Sequence, residues 1–302
     1  MNRAYAAIDL GSNSLLLAVE SADGTLLHDQ AEVVGLGKGL GDMGQFEPAR
    51  MAHAEQVLRH YVQVADSHGI PPQQIRICAT SGARRASNAP QFFDQMKREL
   101  GIKIQTISGE EEAQLSYLGA LRGLELEEGP VLVIDLGGGS TEIIIGQGEL
   151  ISYRTSLEVG AVRLTEAFGL DQDSSGLPDA LSHLQDLLAA VVLPAKPSQA
   201  VVVAGTATTL AAMDAGLSTY QGKAVHGRLL TRERLNHWQH RLLQADAGQR
   251  KTLASVSPKR ADYLAGGAAV IATVLHFCGL EACIASDAGL RFGILKAARA
   301  AE

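Results

Sequence analysis

The sequence predicts an α/β protein built from two domains related by pseudo-symmetry. Three observations carry this. The phrase Asp9-Leu10-Gly11-Ser12-Asn13-Ser14, followed by the apolar run Leu15 to Val19, recurs about 126 residues later. There it reads Asp135-Leu136-Gly137-Gly138-Gly139-Ser140-Thr141-Glu142, followed by Ile143 to Ile145. Each copy opens a triplet of strand-like segments that gives way to helical ones. The length of 302 residues suits two domains.

In the first half, residues 4–10, 15–20 and 25–34 read as strands with short turns, Asp23-Gly24 being one of them. A glycine-rich loop follows at 35–44. Residues 47–67 carry helical periodicity, and Pro71-Pro72 breaks the chain. A strand at 75–79, a helix at 90–100 and a strand at 104–107 come next. Ser108-Gly109-Glu110-Glu111 matches a capping box and starts a helix that should reach about residue 121. The acidic, turn-like stretch 123–130 marks the boundary, giving domains at 1–125 and 126–302. The pattern then restarts with strands at 131–136, 141–146 and 149–155. Helices fit 161–168 and 178–192, and 200–204 is a buried strand. Gly205-Thr206-Ala207-Thr208-Thr209 turns into a helix. Further helices fit 231–245 and 260–278, with a short strand at 282–286 and a closing helix from Leu290.

Composition narrows the function. Apolar residues make up 46% and charged residues 20%, ordinary for a globular protein with a sizeable core. A net charge of −7 argues against a general polyanion-binding surface, so an anionic substrate must meet a locally basic cleft. Neither a nucleic acid nor a membrane is an expected partner, and a homodimer is an allowed assembly. Cys78, Cys278 and Cys283 form no CxxC pair and read as reduced core residues. No apolar run reaches membrane-spanning length and no signal peptide is evident, so the expected location is the cytoplasm.

The repeated hairpins are the first candidate site. A tight turn rich in Gly, Ser and Thr bares backbone N–H groups that can hold phosphate oxygens. Ser12, Asn13 and Ser14 supply one such turn, and Gly137, Gly138, Gly139, Ser140 and Thr141 the other. Asp9 and Asp135, at the two strand ends, suit a hydrated Mg²⁺. Either hairpin alone would read as an ordinary turn; two in equivalent places point to a shared phosphate and metal site. Gly205-Thr206, at a strand-to-helix junction, is either an anion-binding helix start or a plain Thr cap. In Glu110-Glu111-Glu112 the capping box gives Glu111 a structural task and leaves Glu112 for chemistry as a general base. Lys38, Arg84, Arg85, Arg260 and Arg291 lie next to turns; surface solvation is the default for each, and phosphate contact the alternative. Gly39-Leu40-Gly41-Asp42-Met43-Gly44 satisfies GxGxxG, but it does not join a strand to a helix as a dinucleotide loop does. His237 and His240 lack a third ligand, and no Walker A sequence is present.

These phrases together resemble the exopolyphosphatase/guanosine pentaphosphate phosphatase family of the acetate- and sugar-kinase/actin superfamily. The resemblance rests on Ala7 to Ser14, Ala79-Thr80-Ser81 with Arg84, Ile107 to Ala113 and Val133 to Glu142. It continues through Gly205 to Thr209, Val225-His226-Gly227, Arg260-Ala261-Asp262, and Ser286-Asp287 with Gly289-Leu290-Arg291. It implies two ribonuclease-H-like (actin-like ATPase) domains around an interdomain cleft; such a cleft is expected to open and close as in hinged two-domain enzymes, with 35–44 as the mobile rim. It implies Mg²⁺- or Mn²⁺-dependent hydrolysis of a terminal phosphoanhydride. By resemblance, Glu112 is the base, with Glu111 as its alternative, and Asp135 and Glu142 lie near metal and water. Ser12, Asn13, Ser14, Arg84, Gly137, Gly138, Ser140, Gly205, Thr206 and Arg260 become phosphate contacts. The chain departs from the family at Gly35 (usually Arg), Lys38 (usually acidic), Arg85 (commonly Asp), Ala288 (usually Arg) and Phe292 (usually Glu). These changes bear on substrate choice more than on fold. The chain is similar to the family's short, two-domain form. Inorganic polyphosphate is the expected substrate and guanosine pentaphosphate the rival. Phosphotransfer or sensing without turnover are alternatives from other classes; three carboxylates beside an anion argue against sensing alone.

Overall fold

The structure is a computed structural model that describes residues 3–300. The chain divides into two compact units, one running to Gly119 and resuming at Leu290, the other spanning Ala120–Gly289.

In the first unit, β1 (Ala4–Leu10), β2 (Ser14–Ser21) and β3 (Leu26–Val33) form an antiparallel meander. The loop after β3 contains a one-turn helix, α1 (Leu40–Met43). Helix α2 (Pro48–Ser67) then crosses to β4 (Arg76–Ala79), which pairs parallel to β1. Helices α3 (Ser81–Arg85) and α4 (Ala89–Leu100) lead to β5 (Ile104–Thr106), parallel to β4, and α5 (Gly109–Ala120) follows. The sheet order is β3-β2-β1-β4-β5. Ile8, Leu10, Leu15, Leu17 and Val19 face one continuous core with Leu58, Tyr61 and Phe92.

The second unit repeats the scheme. Strands β6 (Val131–Leu136), β7 (Thr141–Gln147) and β8 (Leu150–Leu157) form the meander. After α6 (Ala161–Phe168) and α7 (Leu177–Ala189), β9 (Gln199–Val203) pairs parallel to β6. Then come α8 (Gly205–Asp214), α9 (Gly222–Val225), β10 (Arg228–Thr231), α10 (Arg232–Gln244), α11 (Ala247–Lys251) and α12 (Leu264–Phe277). Strand β11 (Ala282–Ala285) lies between β9 and β10, giving the order β10-β11-β9-β6-β7-β8. The repetition extends to detail: the β2 and β7 ladders slip register at matching places, Val19/Glu20 and Ile145/Gly146. Such bulges increase strand twist and are placed, not accidental.

The domain boundaries expected at 1–125 and 126–302 differ from this division at the C-terminus. The closing helix α13 (Leu290–Ala300) packs on β1, β2 and β4 of the first unit. Two ion pairs fix it there. The Arg291 guanidinium grips Asp29 of β3 with two bonds of 2.8 and 2.9 Å, and Arg299 reaches the buried Glu20 carboxylate of β2 at 3.1 Å. Gly293 meets the α5 backbone so closely that a Cβ would stand 1.9 Å from the Leu115 carbonyl oxygen. The last helix therefore buttresses the helix that begins with Glu110-Glu111-Glu112.

Candidate active site

The first hairpin folds because Gly11 donates its N–H to the Ser14 carbonyl at 3.1 Å, and Gly137 does the same to Ser140 at 3.0 Å in the second. In the first unit the turn is clamped. Val34 and Gly35 both donate to the Asn13 carbonyl (2.9 and 2.8 Å), and Gly37 donates to Ser12 (2.7 Å). Ser12 is wedged between two glycines: a Cβ on Gly37 would come within 2.8 Å of Ser12 Cβ, and one on Gly82 within 2.6 Å of Ser12 Oγ. Ser12 and Ser14 are partly exposed, and Asn13 and Lys38 are exposed at this edge. Gly82 follows the phrase Ala79-Thr80-Ser81 and was not among the expected site residues.

Asp9 lies one residue before the end of β1, on the sheet face opposite Ile8 and Leu10, and its Oδ1 is buried without a hydrogen-bond partner. Burial pushes its carboxyl up to about 7, the negative charge of Glu112 adds to the rise, and Arg291 opposes it. Glu112, which the capping box leaves for chemistry, is not unpaired: its Oε2 accepts from Arg84 Nη1 at 2.8 Å, and Arg84 also donates to the Ile107 carbonyl at 2.9 Å. The pairing arises because α3 ends beside the start of α5. Half of the capping box is seen: Ser108 Oγ accepts the Glu111 N–H at 3.1 Å, leaving the Glu111 side chain exposed. Asp9, Arg84 and Glu112 are thus brought together, with Arg291 as the charge that the sequence reading did not place.

In the second unit, Asp135 and Glu142 sit directly opposite on β6 and β7. Like charges across a strand pair cost stability. The first unit avoids this, with Leu16 opposite Asp9. Ser156 of β8 donates to Glu142 Oε1 at 2.9 Å. Gly137, Gly138, Gly139 and Ser140 lie at the accessible turn. Thr141 was expected to join them as a phosphate contact, but it is wholly buried and its hydroxyl donates to the Val159 carbonyl at 2.5 Å. It shares a strand face with Ile143 and Ile145, so its side chain serves the core.

Gly205 begins α8 with one residue between it and the end of β9, where the first N–H groups of a helix have no partners within it. The Arg260 guanidinium lies against it: a Cβ on Gly205 would come within 2.6 Å of Arg260 Cζ. The Thr206 side chain is buried against Gly267 of α12, leaving its backbone N–H as the group it can offer. Burial lowers the Arg260 pKa, against the pull of Tyr220 and Asp287. Asp287 accepts from the Tyr220 hydroxyl, and its N–H donates to His226 Nδ1 at 3.3 Å. His226 Nε2 faces the Arg122 carbonyl at 2.9 Å and must donate to it; burial lowers the pKa of the ring, against the pull of this bond and of the Asp287 charge. The residue preceding the helix, Ala204, has φ 75° and ψ 172°, a region nearly reserved for glycine. Ala204→Gly is therefore expected to stabilise the protein by about 1 kcal/mol. Urea denaturation measures this; a lower midpoint for the variant would show that the junction is unstrained.

The chain matches the Ppx/GppA phosphatase family over residues 17–299. It belongs to that family. It is 35% identical over 286 residues to exopolyphosphatase 2 of Mycobacterium tuberculosis, covering 88% of each chain. Among solved structures it is similar to the Ppx/GppA family member of Aquifex aeolicus, with 30% identity, a TM-score of 0.85 and 98% and 97% of the two chains covered. An exopolyphosphatase from Cytophaga hutchinsonii gives 26% identity and a TM-score of 0.87 over 99% and 98%. The two units are accordingly actin-like ATPase-fold domains, and the protein is a hydrolase acting on phosphoanhydride bonds. The cysteines are buried and unbridged, and among the described residues no helix is long and apolar enough to cross a membrane. The GxGxxG stretch holds α1, not a strand-to-helix junction, and His237 and His240 are exposed on α10.

Proposed function

We propose that this member of the family hydrolyses the terminal phosphate from inorganic polyphosphate with the help of Mg²⁺ or Mn²⁺. The observation that carries the reading is the buried, unpartnered Oδ1 of Asp9 beside the Glu112–Arg84 pair at the mouth of a clamped phosphate-type turn. The name of the Mycobacterium tuberculosis relative supports the same substrate. In this reading Ser12, Asn13 and Ser14 hold the terminal phosphoryl oxygens, and Arg84 neutralises their charge. Glu112 takes the proton from the attacking water. Gly137 to Ser140, the start of α8 and Arg260 hold oxygens of the phosphate chain.

Asp9 fits a hard cation, because a buried carboxylate oxygen without a donor is costly unless something positive meets it. The facing pair Asp135 and Glu142 offers hard oxygen ligands of the kind such a cation takes, with Glu142 Oε1 also accepting from Ser156. Among the described residues no three acidic, His or Cys groups gather closely enough to hold a metal alone, so phosphate oxygens and water would complete its shell. When bound, the metal would neutralise charge on the transferring phosphoryl group. Phosphate release should therefore vanish on exhaustive chelation and return with added Mg²⁺. The deciding assay compares long-chain polyphosphate, guanosine pentaphosphate and ATP. A preference for guanosine pentaphosphate would displace polyphosphate as substrate, and full activity after chelation would remove the metal from the reading.

A further inference from the structure

Arg250 is the largest fully buried side chain among the described residues and has no part in the site as read above. Its guanidinium donates to the carbonyls of Ala245 (3.0 Å), Leu242 (3.4 Å) and Asp171, and it faces the Asp262 carboxylate at 3.4 Å. Lys251 approaches the other Asp262 oxygen at 3.8 Å. A buried ion pair is weak support for stability, because well-packed apolar residues often do as well. What this pair fixes is a short stretch of backbone. Asp262 lies in the 3-10 turn Ala261–Tyr263, whose first residue follows Arg260. Arg260 donates its N–H to Ser257 (2.8 Å), and its carbonyl accepts from Tyr263 (3.0 Å). Its guanidinium makes no hydrogen bond or ion pair among the described residues, and its aim at Gly205 is set by where this turn places it.

We propose that Arg250 and Asp262 are positioning residues that aim Arg260 at the start of α8, so that the substrate's phosphate chain meets a pre-oriented guanidinium. The inference rests on the reading of Arg260 as a phosphate contact. Planar, forked recognition by arginine depends on orientation more than a point charge does, and pre-orientation spares the ordering cost at the moment of binding.

A double-mutant cycle tests it, with calorimetric binding of tripolyphosphate as the readout. Asp262→Asn is the informative variant, since it keeps side-chain volume and the carbonyl partners of Arg250; Arg250→Met risks unfolding. Asp262→Asn should weaken tripolyphosphate binding about ten-fold in the otherwise wild-type protein, but less than about two-fold when Arg260→Ala is already present. Turnover at saturation should change little, so the effect falls on KM. Lys251→Ala, which removes only the longer contact, should bind as wild type. An equal loss in both backgrounds would show that Asp262 is merely structural, and an unchanged dissociation constant in Asp262→Asn would overturn the proposal. Wild-type protein that binds tripolyphosphate without releasing phosphate would sink the functional reading and leave the cycle readable; wild-type protein that binds none would sink both.

Discussion

Glu112→Gln should lower turnover by roughly 10²–10⁴-fold while leaving KM within a few-fold of wild type. Glutamine keeps the size of the side chain and removes its capacity to accept the water proton. The fold around it should hold, because Arg84 retains its bond to the Ile107 carbonyl at 2.9 Å. The lost ion pair is partly exposed, and such pairs contribute about 1 kcal/mol or less. Freed from Glu112, Arg84 also has more donor capacity for a phosphate, so affinity is expected to stay level or to tighten. Glu111→Gln is the comparison: that side chain is exposed, and only its backbone N–H takes part in the cap, donating to Ser108 Oγ. Steady-state kinetics on both variants separates the two carboxylates. A dead Glu111→Gln beside a working Glu112→Gln would transfer the role of base to Glu111.

The parts of the site written locally were legible in the sequence. A hairpin turn is decided by a few adjacent residues, so both Asp-Leu-Gly turns, their strands and the helix after Ser108 could be read directly. Thr141 misled because it sits in the phrase with the turn donors. The period of two that places it with Ile143 and Ile145 was present and points inward. The pairing of Arg84 with Glu112 was not legible, since 28 residues separate them and only packing brings α3 to α5. The allegiance of α13 was hidden for the same reason. An amphipathic helix records that it buries a face, not which sheet receives it; Arg291 finds its carboxylate at a separation of 262 residues. Strand β10 was missed because four residues after Gly227 carry too little alternation to stand out from a loop.

Asp9→Asn should abolish metal-dependent turnover and, in metal-free buffer at pH 7.5, make the protein more stable than wild type. The native carboxyl is raised from 3.8 to about 7, chiefly by burial, then by the charge of Glu112, with Arg291 acting against both. Between these values the folded chain binds a proton that the unfolded chain releases. Stability therefore falls as pH rises from about 4 to 7, and the loss is complete above that window. Asparagine carries no charge at any pH. Its advantage should be absent below about pH 4 and reach on the order of 4 kcal/mol above pH 7, as an upper limit. A bound cation favours the ionised carboxylate, so Mg²⁺ should raise the wild-type melting temperature and leave that of Asp9→Asn where it was. Thermal denaturation from pH 4 to 8, with and without Mg²⁺, gives all of these comparisons. A variant less stable than wild type at pH 7.5 without metal would mean that Asp9 is satisfied within the protein, and would remove the strongest reason for placing a cation beside it.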